Sequence, residues 1–326
     1  MRYKTITSGS SKVRSAMITL CGLALFVTMP SSAGAQVVNS TQDPLQLGIL
    51  HWQVIDQNAQ LATGNMPAGV AFDGGSIWIT NAGSNTVSKI TDGVTVSYPV
   101  AGEPVALAYD GANMWVANLL ASTVTKLRAR DGVNLGNFPV GLNPFGIAFD
   151  GANIWITNYG ANTVSELRAS DGASLGLFPV GQSPSGIVCD GTNIWVTNYG
   201  SNTVTRLSLG GRTMGTYNVG TNPNGIAFDG ANIWVANEGS GNVTKIQAQS
   251  GKIVGTYASG DHPYGVVYDG QNIWVTNYWA NTISKFIAST GKKAGTYTAG
   301  NGPSLVAFDG ANVWATNFWG NTVSKF

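Results

Sequence analysis

The chain has 326 residues, of which 43% are hydrophobic and only 10% charged, with 43 glycines, two cysteines and a formal net charge of +1. That balance excludes the basic stripe a nucleic-acid partner depends on, and the cysteine count excludes a disulfide framework. So long a chain with so few charges does not suit one undivided core, whereas repeated units packed in series do.

Residues 1–35 read as a signal peptide. Arg2, Lys4, Lys12 and Arg14 make a basic start, residues 16–29 (AMITLCGLALFVTM) an apolar core, and Ala33-Gly34-Ala35 an A-x-A site, so cleavage is expected before Gln36. The apolar run falls short of the ~20 residues a spanning helix needs, and no later run is longer. No transmembrane segment is therefore expected in the mature chain; retention of the leader as an anchor is the alternative. Cys21 follows Leu20, where a lipoprotein signal wants a small residue, so it counts as part of the signal core. Cleavage removes four of 17 basic residues and none of 16 acidic ones, leaving 13 against 16, a net charge of −3. Cys189 is then the one cysteine left, and stability must come from packing. The expected product is a monomer, secreted or periplasmic, with association to the cell surface as a variant.

Residues 36–326 are expected to form a single domain. An Asp-Gly pair recurs at Asp73, Asp110, Asp150, Asp190, Asp229, Asp269 and Asp309, spaced 37, 40, 40, 39, 40 and 40 residues apart, and a tryptophan follows each aspartate by five: Trp78, Trp115, Trp155, Trp195, Trp234, Trp274 and Trp314. A period near 40 with strand-like runs predicts an all-β, seven-bladed propeller of four-stranded antiparallel blades. The repeats start near 67, 104, 144, 184, 223, 263 and 303.

In the third copy GIAFD is a strand, DGAN a turn, NIWITN the second strand, NYGAN a turn, TVSELRA the third strand, SDG a turn and LGLFPVG the fourth strand. The seventh copy stops at Phe326, after its third strand. LGILHWQVID (residues 47–56) is expected to supply the missing outer strand, because an open edge invites aggregation.

WITN, WVTN and WVAN followed by NTVSK or NTVTK resemble the YVTN-type β-propeller repeat family and, more distantly, NHL-repeat and virginiamycin B lyase-like propellers, over residues 67–326. The resemblance is specific for fold and implies little about function. Lyase-type repeats end the second strand in W-F-T-E and work with a histidine, acidic residues and a magnesium ion. Here Asn81, Asn118, Asn158, Asn198, Asn237, Asn277 and Asn317 stand at the carboxylate position. His262 is the sole histidine of the repeat region and Glu238 the sole acidic residue directly after a W-V-A-N motif. These two define the catalytic alternative, a metal-assisted lyase or hydrolase with a divalent cation; otherwise no cofactor is expected.

Several recurring residues are read as structural. Each aspartate is expected to cap its own turn rather than join a cation-binding ring, and each tryptophan to pack between blades rather than stack on a sugar. Cys189 replaces the aromatic found at Phe72, Tyr109, Phe149, Phe228, Tyr268 and Phe308, so it is expected to be a buried filler, not a nucleophile. The basic series Lys89, Lys126, Arg206, Lys245, Lys285 and Lys325, broken by Glu166, is expected to be solvated strand ends rather than an anion-binding rim.

If strands alternate, the loop leading into each blade and the loop after its second strand share one face. There the residue after the leading proline is Ala68, Val105, Phe145, Ser185, Asn224, Tyr264 or Ser304. The residues after the second-strand asparagine are Ala82-Gly83, Leu119-Leu120, Tyr159-Gly160, Tyr199-Gly200, Glu238-Gly239, Tyr278-Trp279 and Phe318-Trp319. Tyr264, Tyr278, Trp279, Phe318 and Trp319 should form a patch on blades five to seven, edged by His262, Asp261 and Glu238. The competing reading is that these rings only cover neighbouring loops. No Ser-His-Asp set, Cys/His metal spacing or phosphate loop stands out. The expectation is a non-catalytic binding module for a glycan, peptide or envelope protein, with the lyase or a purely structural surface-layer role as alternatives.

Overall fold

Seven leading prolines each open an inner strand: Pro67–Phe72, Pro104–Tyr109, Pro144–Phe149, Pro184–Cys189, Pro223–Phe228, Pro263–Tyr268 and Pro303–Phe308. In this computed structural model, which describes residues 15–20, 23–28 and 60–326, each is the first strand of a four-stranded antiparallel sheet, and the sheets form an all-β propeller of seven blades. A separate unit holds an antiparallel hairpin of Ser15–Leu20 and Leu23–Thr28, within the segment read as a signal. Among the described residues no helix is long and apolar enough to cross a membrane.

The second strands carry the core. Asn153–Asn158 is buried from Ile154 onward on both faces, which is why it reads as a continuous apolar run instead of alternating. The core is a series of seams: Trp115 and Val124 of blade two pack with Ile154, Ile156 and Leu167 of blade three. Each tryptophan of blades one to six also meets an outer-strand aromatic, as in Trp155 with Phe178 at 5.6 Å and Trp195 with Tyr217 at 5.5 Å between centroids.

The spacing of five between aspartate and tryptophan has a concrete cause. Asp150 Oδ1 accepts the amides of Ala152 and Asn153, and its Oδ2 accepts the Trp155 indole N–H at 2.7 Å. The same indole bond forms in all seven blades. A carboxylate already accepting three hydrogen bonds has little left for a cation, so the turn-cap reading holds and the sequence-level account lacked only the indole.

The basic series corrects expectation. Lys126, Lys245 and Lys325 are buried, not solvated. All six lie over the tryptophan of their own blade, with Lys126 Nζ 4.8 Å from the Trp115 ring and Lys285 Nζ 4.6 Å from Trp274. Lys89, Lys126, Arg206 and Lys245 reach further, donating to a backbone carbonyl of the next blade, as Lys126 does to Ala169 at 2.7 Å. The cations tie blades together because the long stem passes through the seam while the ammonium finds carbonyls at its far side.

Blades are joined again at the opposite face. In the NTV motif the asparagine is left-handed, and Asn162 Oδ1 accepts the amide of Ser183 at the start of the next blade. Near the axis Thr157 Oγ1 donates to the Ser185 carbonyl at 2.7 Å, and Thr197 does the same to Asn224. The glycine after the leading residue permits this closeness: a Cβ on Gly225 would lie 2.1 Å from the Tyr264 carbonyl. The second-strand asparagines are fully buried; Asn198 bonds Thr203 and Thr205 within its blade and the Gly181 amide in the connection leading into it from blade three.

Blade seven is completed from the N-terminal side, as expected, but by Gln60–Ala62, which pairs antiparallel with Thr322–Lys325. Residues 47–56, the segment assigned this job from the sequence, lie outside the described residues. Only three residues fill the role that six play elsewhere, and they sit nearer the first repeat than the apolar run suggested.

Candidate functional site at the channel mouth

The two loops of each blade that were expected to share a face are hydrogen-bonded to each other. The amide of Tyr278 donates to the His262 carbonyl, that of Phe318 to Gly302 and that of Glu238 to Asn222, and the remaining blades repeat the bond. The accepting residue precedes the leading proline and takes a positive φ in every blade, 53° at His262. Such a backbone is uncommon for non-glycine residues and persists here because the loop pairing over-determines it.

The inner strands close in on the axis. Leu305 of blade seven reaches past blade one to pack against the cluster of Val105, Ala106 and Ala117 in blade two, beside Phe145 of blade three. Side chains that follow the leading proline and the second-strand asparagine thus gather around the ring axis at one end, the mouth of the propeller.

Aromatic rings fill that mouth. Tyr278 meets Tyr264 at 5.7 Å, Trp279 edge-on at 5.2 Å and Phe318 at 6.4 Å between centroids, and Phe318 meets Trp319 edge-on at 4.9 Å. Tyr264, Tyr278 and Phe318 are half-buried. Trp279 and Trp319 are 58% and 51% exposed, far more than the seven packing tryptophans. These five residues form one contiguous set across blades six and seven.

The aromatic lining continues beyond the patch read from the sequence. Phe145 meets Tyr159 at 5.9 Å and Tyr159 meets Tyr199 at 6.3 Å, extending it through blades three and four. Those residues stand in the same two columns of the repeat, but each is followed by a glycine and not by a second aromatic.

Glu238 interrupts the rings. It opens a single 3-10 turn, Glu238–Ser240, is half-buried, and its Oε2 accepts the buried Asn224 side-chain amide at 3.0 Å. Burial pushes the Tyr264 phenol well up, and the Glu238 carboxylate adds to that shift. Burial followed by Glu238 raises Tyr199 as well. For Tyr278 burial again leads, with Trp319 opposing and Glu238 reinforcing. Glu238 takes the repeat position that Tyr199 holds in blade four and Tyr278 in blade six, and its bond to Asn224, which holds the repeat position of Tyr264 in the next inner strand, keeps it on the side of these phenols.

His262 stands apart. Its Nδ1 pairs with Asp261 Oδ1 at 2.8 Å, and its ring meets Trp279 edge-on at 5.9 Å. Asp261 is exposed and His262 intermediate. No hydrogen bond links His262 to Glu238 among the described residues, so the two members of the catalytic alternative belong to different environments: one at the rim, one among the phenols. Cys189 is half-buried against the cluster between blades three and four; burial pushes its thiol up, opposed by the Gly191 amide, which suits a filler.

Solved structures similar to the chain include the following two. One is a streptogramin B lyase, 21% identical, with a TM-score of 0.71 over 82% of this chain and 96% of that one. The other is hydrazine synthase of Kuenenia stuttgartiensis, 19% identical, with a TM-score of 0.71 over 80% of this chain and 95% of that one. At these identities the likeness concerns the fold. No protein-family model and no curated protein sequence matches the chain, so the resemblance to YVTN-type repeats rests on the repeat residues themselves.

Proposed function

We propose that the chain is an exported, non-catalytic binding module that takes its ligand at the channel mouth. One observation carries this reading: aromatic side chains of blades three, four, six and seven converge there, and Trp279 and Trp319 remain open to solvent. Scaffold tryptophans in this protein are buried and bonded to aspartates, so two adjacent exposed ones are not a product of the repeat. A glycan, a peptide or an envelope protein presents the apolar faces such a surface recognises. Export is supported by the basic, apolar and A-x-A pattern of residues 1–35.

The inequality of the rims favours binding over a purely structural surface-layer role, for which equivalent blades suffice. The lyase alternative brings a divalent cation with it. Among the described residues no three His, Cys, Asp or Glu side chains gather to hold one, so the donor set does not fit and no metal-assisted step is derived. The binding reading is tested by a glycan and peptide array probed with the purified protein and with a Trp279→Ala, Trp319→Ala double variant. A ligand retained by the first and lost by the second is expected; identical profiles would remove the mouth from consideration.

A further inference from the structure

We infer that the channel mouth takes an organic cation, an ammonium or alkylated ammonium group held by the Glu238 carboxylate among the rings of Tyr199, Tyr264 and Tyr278. This rests on the mouth being a binding site, and adds the chemical class of the ligand.

The position Glu238 occupies holds Ala82, Leu119, Tyr159, Tyr199, Tyr278 and Phe318 in the other blades. One carboxylate thus stands in a set of apolar and aromatic side chains. Among the described ion pairs none involves Glu238. The recurring cations of the repeat are committed elsewhere, over the tryptophans and in the seams between blades. Asn224, itself buried, donates to one carboxylate oxygen and fixes the side chain in place.

A half-buried carboxylate beside rings loses part of its hydration, a cost in free energy unless a partner offsets it. One neutral amide is a partial offset. A cationic ligand completes it and gains a second attraction, because the negative faces of aromatic rings draw cations within about 6 Å of their centroids. The phenols stay neutral, since burial and Glu238 both push them up, so Glu238 is the one charge in the two columns of side chains after the leading prolines and the second-strand asparagines, Glu103 and Asp261 lying in the loops before the prolines, and it favours a positive partner. A neutral sugar satisfies the rings but leaves the carboxylate unmatched, and an anion is repelled.

Choline is a direct probe, with 3,3-dimethylbutan-1-ol as its uncharged isostere, both titrated calorimetrically into the purified chain. Saturable choline binding is expected, at least tenfold tighter than that of the alcohol. Glu238→Gln keeps the acceptor for Asn224 and should weaken choline at least tenfold with an unchanged melting temperature. Tyr278→Leu removes a ring without altering charge, should weaken choline as well, and stands in if the first variant does not fold. Phosphatidylcholine vesicles separate two sources of the group: sedimentation with vesicles that depends on Glu238 assigns a lipid headgroup, and binding of free choline alone a soluble ligand. No saturable choline binding, equal binding of the alcohol, or an indifferent Glu238→Gln variant overturns the inference. A glycan or peptide lost on replacing Trp279 and Trp319, with choline ignored, overturns the cation and leaves the binding function standing. If nothing at all is retained at the mouth, both fall.

Discussion

Thr316 Oγ1 donates to the Ala68 carbonyl at 2.7 Å, joining blade seven to blade one across 248 positions of sequence. The same seam carries Ser304 Oγ to Ala68 at 3.1 Å and the Met66 amide to Asn321 Oδ1 at 2.9 Å. Closure is thus made from the same threonine and asparagine devices that join neighbouring blades, with the strand Gln60–Ala62 added. We predict that Thr316→Val costs about 1 kcal/mol, the usual net worth of one such bond, and that removing residues through Ala62 costs more by opening an edge. Urea unfolding measures both; an unchanged midpoint in the truncated chain would show that the outer strand is dispensable.

Four of the turn aspartates predict an acid limit. At Asp110, Asp190, Asp269 and Asp309 burial alone would raise the carboxyl, but the indole and turn amides together outweigh it and hold it below the usual range. A lowered folded value means that the stabilisation is present above the unfolded value and lost as pH falls through the folded one. The melting temperature is therefore expected to be insensitive to these groups near neutrality and to drop as pH is taken below ~4. Asp229→Ala should cost about 2–3 kcal/mol at neutral pH, since it strands a buried indole N–H and two turn amides. A flat melting profile from pH 5 to 2 would contradict this account.

Glu166 is the exception in the basic series and predicts a stabilising change. It is buried opposite Trp155 and accepts the Asn153 side-chain amide at 2.8 Å, while burial first and Asp150 second push its carboxyl up. Glu166→Lys should place an ammonium over Trp155 and within reach of blade four, gaining about 1 kcal/mol. A raised folded value is a cost present above that value and relieved at lower pH. The advantage of the variant should therefore be greatest at neutral pH and shrink as the medium is acidified. Denaturant midpoints at two pH values check both the sign and the trend.

Replacing Trp279 and Trp319 with alanine is expected to leave the melting temperature within a few degrees of the parent, because both rings are more than half exposed. The same change at Trp234, fully buried and bonded to Asp229, should cost about 3–5 kcal/mol. Thermal unfolding of the three variants separates ligand-facing rings from structural ones; comparable losses at all three would mean that the mouth tryptophans belong to the scaffold.

The propeller was legible because its grammar is local: a strand, an Asp-Gly turn and an indole five residues on repeat at a fixed period, and each unit specifies its own sheet. What passes between blades was not legible. Lys126 reads as a strand-end residue until the neighbouring Ala169 carbonyl is seen, 43 positions away, and the closing strand is too short to announce itself by composition. At the mouth, the columns of the repeat pointed to Tyr278 and Phe318 but not to the contact of Tyr159 with Tyr199, since rings from separate blades meet only through the curvature of the whole.

The residue before each leading proline is held left-handed in all seven blades, yet it is Met66, Glu103, Asn143, Ser183, Asn222, His262 or Gly302. Its carbonyl is always bound by the adjacent loop, and in five blades its amide is bound by the preceding one. The main chain is fixed while the side chain is left unspecified. Six addresses around one opening, all but Gly302, where a Cβ would lie 2.6 Å from the Trp319 ring, can therefore change chemistry independently, letting such a ring acquire a new specificity by single substitutions while its architecture stays untouched.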